Sequence, residues 1–219
     1  MKQQVMGSLQ YAVNSDTYSA ALHDEEIRSQ SAVKFREACV DKLTGCSSAH
    51  FFKIQLDRAF KRSCANNSSL SLLFFSFDGI ESRYDKDTID YILRRATQCI
   101  RRKGISSQDT FGRISNNCFG LIFERVSGEQ AEKIGRRLLT LFKDTPLPYY
   151  KESLDLTLSI GVARVSGQMS RAEILFNQAH ISLLHARQFG GNQITQFHPS
   201  RFDLFSPDVD TYPHFAITG

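Results

Sequence analysis

The chain has 219 residues, enough for one sizeable core with length left over for terminal extensions. Its 27 Lys and Arg against 23 Asp and Glu leave a net charge of +4, too small an excess to point to nucleic acid. Five cysteines without a CxxC pair fit reduced thiols, and the absence of a long apolar run near Met1 or of any stretch of roughly 20 apolar residues leads us to expect a cytoplasmic protein without membrane insertion.

Residues 1–23 are small and polar, without clear periodicity. From Asp24 the spacing of Ile27, Phe35 and Ala38 predicts a helix, whose acidic first turn suits the positive end of a helix dipole. Asp41–Gly45 breaks it. Ser47 or Ser48 is placed to cap a second helix, in which Phe52, Leu56, Ala59 and Phe60 recur at three and four residues. Cys64–Ser69 is a polar turn, and Leu70–Phe77 (LSLLFFSF) is a short apolar run that reads as a buried central strand. Asp85–Arg102 is amphipathic, with Ile89, Ile92, Leu93, Ala96, Cys99 and Ile100 on one face; Arg94, Arg95, Arg101, Arg102 and Lys103 read as its solvated side.

Thr110–Ile114 and Phe119–Phe123 are two short apolar stretches separated by Ser115-Asn116-Asn117-Cys118, a hairpin pattern in which Asn suits positive φ. Glu129–Phe142 is again helical, Thr145–Tyr150 with its two prolines reads as a loop, and Leu154–Val165 alternates like a strand. Arg171–Phe189 is a helix with Leu175, Phe176, Ala179, Leu183 and Ala186 inward, ended by Gly190-Gly191-Asn192, and Gln193–Phe197 adds a last strand. The order predicts an α/β (α+β) fold: a central, mainly antiparallel sheet wrapped by helices. Residues 1–38 form an N-terminal extension with a helix, 39–197 the domain, and 198–219 a Pro- and aromatic-rich tail that either folds back or serves as a linear docking segment.

Four short motifs then fall in order on these elements. Asp41-Lys42-Leu43-Thr44-Gly45 resembles the DxLTG that opens GGDEF domains. Leu158-Ser159-Ile160-Gly161-Val162-Ala163 is similar to the family's LSIGVA strand, and Ala179–Asn192 (AHISLLHARQFGGN) to its ADxALYxAKxxGRN helix. Arg113-Ile114-Ser115-Asn116-Asn117-Cys118-Phe119 stands where the family has RYGGDEF. Each motif alone is weak; together they are fairly specific.

The resemblance implies a domain of the kind that condenses two GTP into cyclic di-GMP, with divalent cations held by carboxylates at the triphosphates. It also implies that several required groups are replaced. Ser76 stands at the metal-ligand position of the family's strand, with Asp78 as the second, mainly structural Asp, and Asn117 stands at the metal-binding acid of the turn. Ser115 and Asn116 replace the glycines that let backbone approach phosphate, and Cys118 replaces the acid that contacts guanine. The guanine-pocket segment is represented only by Gly79–Asp90, shorter than in the family. Of two phosphate-binding cations, Arg187 matches one and Gly191 stands at the other; at the product-inhibition RxxD, Asp109 is kept and the arginine is Ser106.

The expectation is a catalytically inactive GGDEF-like module, without cofactor or metal, that regulates by protein–protein contact in bacterial cyclic di-GMP-related signalling. Its partner would be a signalling enzyme or receptor, or a second copy docked through the N-terminal helix. The alternative is a non-catalytic receptor for GTP or cyclic di-GMP, less favoured, using Arg187, Arg101, Arg102 or Asp109.

Overall fold

The computed structural model describes residues 37–199 except 145, 151 and 168. The helix expected over 24–38 falls almost wholly outside the described residues, and the tail lies outside them from residue 200. The chain divides after Cys39 into two compact units, and the elements below belong to the second.

In chain order these are α1 (Ala49–Asn66), β1 (Leu70–Phe77), a single-turn α2 (Ile80–Arg83), α3 (Lys86–Cys99) continued by a π-turn (Ile100–Gly104), β2 (Thr110–Arg113), β3 (Cys118–Glu124), α4 (Gly128–Asp144), β4 (Leu147–Tyr149), β5 (Glu152–Leu154), β6 (Leu158–Arg164), α5 (Ala172–Gln188) and β7 (Ile194–Gln196). The five-stranded sheet runs β2-β3-β1-β6-β7. All pairs are antiparallel except β6 with β7, which α5 joins as a crossover.

β1 is buried along its whole length, as an uninterrupted apolar strand should be when both sheet faces are covered. Its alternation divides the core in two. Leu70, Leu72 and Phe74 pack with Phe52 and Leu56 of α1 and Leu175, Ala179 and Leu183 of α5. Leu73, Phe75 and Phe77 pack with Ile92, Leu93 and Ala96 of α3 and Ala131, Leu138 and Phe142 of α4. Each buried Phe contributes roughly 1.5–3 kcal/mol relative to exposure.

Two close approaches need glycine. Gly112 and Gly120 are cross-strand partners, and the Phe52 ring fills the space above both; a Cβ on either would sit 2.5 Å from it. At Gly161 a Cβ would lie 2.2 Å from the Leu183 nitrogen and 2.3 Å from the Ala179 carbonyl, so α5 rests backbone-first on β6.

Ser48 and Asp85 cap α1 and α3, accepting from the backbone N–H of Phe51 and Thr88. Several boundaries differ from expectation. α1 runs three residues into the expected polar turn and closes at Asn67, whose φ of 47° is left-handed. The Asp85–Arg102 helix turns from α to π geometry at Ile100; the wider turn seats Gly104 against α4, where a Cβ would meet Leu138 at 2.6 Å. The strand expected over Leu154–Val165 is two strands. β5 pairs with β4, so part of the expected Thr145–Tyr150 loop is strand, and β6 begins only at Leu158 opposite Phe77. Leu154, Leu156 and Leu158 are all buried, so the hydrophobic alternation runs through the break without marking it.

Candidate functional site at the end of the central strand

The end of β1 and the turn between β2 and β3 meet at one corner, because β1 pairs with β3 from Leu70↔Glu124 to Ser76↔Cys118. Asn117 lies just beyond that register. Its side chain is buried and continues the ladder in place of backbone: the Phe77 N–H donates to Oδ1 at 3.0 Å, and Nδ2 donates to the Phe77 carbonyl at 2.7 Å. Both ends of the carboxamide are used. A carboxylate accepts but does not donate, so the second bond requires the amide.

Ser76 is 1% exposed, and its Oγ has no hydrogen-bond partner among the described residues. Asp78 follows with both oxygens engaged. Oδ1 accepts from Ser159 Oγ at 2.6 Å, and Oδ2 accepts from the Asn192 N–H at 2.9 Å. Gly191, at φ +69°, lies directly against this carboxylate; a Cβ there would stand 3.1 Å from it. Asp78 thus ties β1 to β6 and to the turn after α5. Behind it, Arg83 donates to the carbonyls of Asp78 at 2.6 Å and Gly79 at 3.2 Å, pinning the short segment that follows β1.

The hairpin turn is held from outside. Arg113 Nη2 donates to the Asn116 carbonyl at 2.7 Å, while Nη1 pairs with the Asp41 carboxylate at 3.3 Å. Asp41 in turn accepts from the Thr44 N–H at 2.9 Å and hydroxyl at 2.6 Å, and its own carbonyl takes the Gly45 N–H at 2.8 Å. Burial opposes ionisation of Asp41, but the Thr44 hydrogen bonds and the Arg113 charge outweigh it and hold the carboxyl below the usual range. Ser115 and Asn116 are exposed; Phe119 is fully buried and stacks on Phe75 at 5.3 Å between centroids.

Cys118 shares the α1/α5 face of the sheet with Ser76. Burial pushes its thiol up to about 12, with the Arg187 charge opposing. Burial, and secondarily Arg187, depresses His180, whose ring lies 6.4 Å from that of Phe74. Arg187 itself is exposed near the end of α5. The structure therefore brings Ser76, Asn117, Cys118 and Arg187 to one corner.

The other expected phosphate ligands stand apart from it, on the β2 side. Arg101 is exposed but reaches back onto its own domain: Nη2 donates to the Gly45 carbonyl at 3.0 Å, and the guanidinium lies 5.3 Å from the Phe111 centroid. It is thus not part of a purely solvated face. Asp109 closes its own loop, accepting from the Ser106 N–H at 2.8 Å, and burial raises its pKa. Arg102 is exposed. Beside it the π-turn and α4 form a groove of about 420 Å³ lined by Lys103, Arg136, Arg137, Thr140, Leu141 and Asp144. Sequence reasoning missed this groove, because Lys103 and Arg137 are 34 positions apart and meet only through the π-turn, where Arg137 donates to the Lys103 carbonyl at 3.4 Å.

A central strand with a hairpin on one side, a strand–helix–strand crossover on the other, and a polar corner where strand end and hairpin turn meet defines an α+β domain with its candidate site at the sheet end. The model of the diguanylate cyclase GGDEF domain matches residues 38–193, and the chain belongs to this family. The chain is 25% identical over 162 residues to the response regulator PleD of Caulobacter vibrioides, covering 72% of this chain and 36% of that protein. It is 28% identical over 162 residues to the diguanylate cyclase DgcS of Shewanella oneidensis, covering 71% and 52%. The chain thus spans about a third to a half of the length of these relatives. Among solved structures, the GGDEF domain of DgcB from Caulobacter crescentus, in complex with c-di-GMP, superposes with a TM-score of 0.68 at 19% identity, covering 74% of this chain and 94% of that one. The diguanylate cyclase SiaD from Pseudomonas aeruginosa, in complex with its activator SiaC, gives 0.67 at 19% identity, covering 88% and 79%. Among the described residues, no helix is long and apolar enough to cross a membrane.

Proposed function

We propose that this chain is a GGDEF domain that does not synthesise cyclic di-GMP and instead regulates by binding a protein partner in cyclic di-GMP signalling. The observation that carries the reading is the Asn117 carboxamide, paired at both ends with the Phe77 backbone. Magnesium needs hard, charged oxygens with free lone pairs. At this corner the oxygens are a buried hydroxyl at Ser76, an amide at Asn117 already bonded at both ends, and a carboxylate at Asp78 already accepting from Ser159 and Asn192. These residues do not fit the ion.

What survives is the scaffold: the DKLTG turn, the hairpin and the α5 termination all keep their structural bonds. A fold retained without its metal donors is suited to presenting surfaces. The SiaD structure contains an activator protein, so a structural relative does form such a complex. The test is to incubate the purified chain with GTP and magnesium and to measure cyclic di-GMP by mass spectrometry. No product above a heat-killed control is expected, and steady turnover would overturn the reading.

A second reading, a non-catalytic receptor for cyclic di-GMP, draws support from the groove where Lys103, Arg136 and Arg137 gather. Calorimetry with cyclic di-GMP decides it: low-micromolar binding lost in Arg137→Ala favours the receptor.

A further inference from the structure

The chain's positive charge is not spread evenly. Between Tyr91 and Asp109 there are five cations (Arg94, Arg95, Arg101, Arg102 and Lys103) and no acid. All five are exposed, and Arg101 also donates to the Gly45 carbonyl and lies over Phe111. The π-turn delivers the end of this run to α4, where Lys133, Arg136 and Arg137 are also exposed. Among the described residues, Arg136 pairs with Glu132, but no carboxylate lies within ion-pair distance of Arg94, Arg95, Arg102, Lys103, Lys133 or Arg137. A helix dipole accounts for cations at the end of α3, though not for those in the middle of α4. Gly104 seats the π-turn closely on Leu138 of α4, and Lys103 there shares one groove with Arg136 and Arg137.

We infer that this face docks an acidic, partly apolar segment of a protein partner, an assignment that rests on the interaction-module reading above. The groove offers cations at its rim, through Lys103, Arg136 and Arg137, over the apolar edge of Leu141. That matches a short peptide in which Asp or Glu flanks an aliphatic side chain. The geometry disfavours nucleic acid. A groove of about 420 Å³ takes a few side chains, and no aromatic lines it to stack a base.

The probe is a fluorescein-labelled twelve-residue peptide alternating Glu and Leu, titrated into the full chain and followed by anisotropy. An oligo-dT of equal charge and cyclic di-GMP are run beside it. Saturable peptide binding is expected, weakened roughly tenfold or more in Lys103→Glu/Arg137→Glu and unchanged in Arg58→Glu, an exposed charge on α1. Lys103→Glu/Lys133→Glu keeps the Arg137 bond to the Lys103 carbonyl and should act alike, which separates loss of charge from loss of the π-turn. No peptide binding, binding indifferent to both double variants, or tighter binding of oligo-dT or of cyclic di-GMP would each overturn the assignment. Failure here leaves the interaction-module reading intact, whereas GTP turnover sinks that reading regardless of what this face binds.

Discussion

Replacing Asn117 with Asp puts back the acid that the family resemblance implies for this turn, yet the structure predicts that it weakens the fold. The variant keeps the acceptor for the Phe77 N–H but loses the donor to the Phe77 carbonyl. The lost bond is worth about 1 kcal/mol, and a buried carbonyl left facing a carboxylate costs about 1–3 kcal/mol more. A total of about 2–4 kcal/mol lowers the melting temperature of a domain of this size by about 4–16 °C. Protonation relieves the deficit, since a neutral carboxyl again donates to that carbonyl. The folded-state pKa of the new Asp is therefore raised above its unfolded value of about 3.9, so the deficit is smallest below that pH and grows as pH rises through the folded value. Thermal melts of variant and parent at about pH 4 and pH 7.5 measure both arms. Equal melting temperatures at neutral pH, or a deficit that does not shrink in acid, would refute the bonding scheme assigned to Asn117.

Gly161→Ala places a methyl 2.2 Å from the Leu183 nitrogen, where backbone has nowhere to yield, and should cost about 3 kcal/mol or more in urea unfolding. His180, depressed mainly by burial, stays neutral in the fold while the unfolded chain takes up a proton near 6.5. Stability should thus fall as pH drops from that value toward its folded pKa, and His180→Phe should flatten this part of the profile. With its thiol pushed up to about 12, Cys118 should resist iodoacetamide at neutral pH, and mass spectrometry should find exposed Cys64 alkylated first.

The sequence made the scaffold readable because its signals are local. Ser48 and Asp85 declare helix starts three residues before the N–H groups they cap, and LSLLFFSF is apolar on both faces because both faces are covered. It failed where long-range contacts decide. Alternation in Leu154–Val165 is continuous, but β4 claims the first part and β1 the second. Nothing near Ile100 marks the π-turn, which answers to Leu138 on another helix. At the candidate site, residue identities at Ser76, Asn117 and Cys118 were readable, whereas the use of each was not. Asn117 pairs with a residue 40 positions away, and Arg101 looks like a solvated charge until Phe111 and Gly45 are placed beneath it.

One guanidinium grips both the Asp41 carboxylate and the Asn116 carbonyl. The turn that opens the domain and the tip of the hairpin thus share one guanidinium, beside the Ser47 backbone bonds to Phe111 and Arg113. Displacing the Asp41 carboxylate would leave that guanidinium's charge unbalanced while its bonds to the Asn116 carbonyl remain.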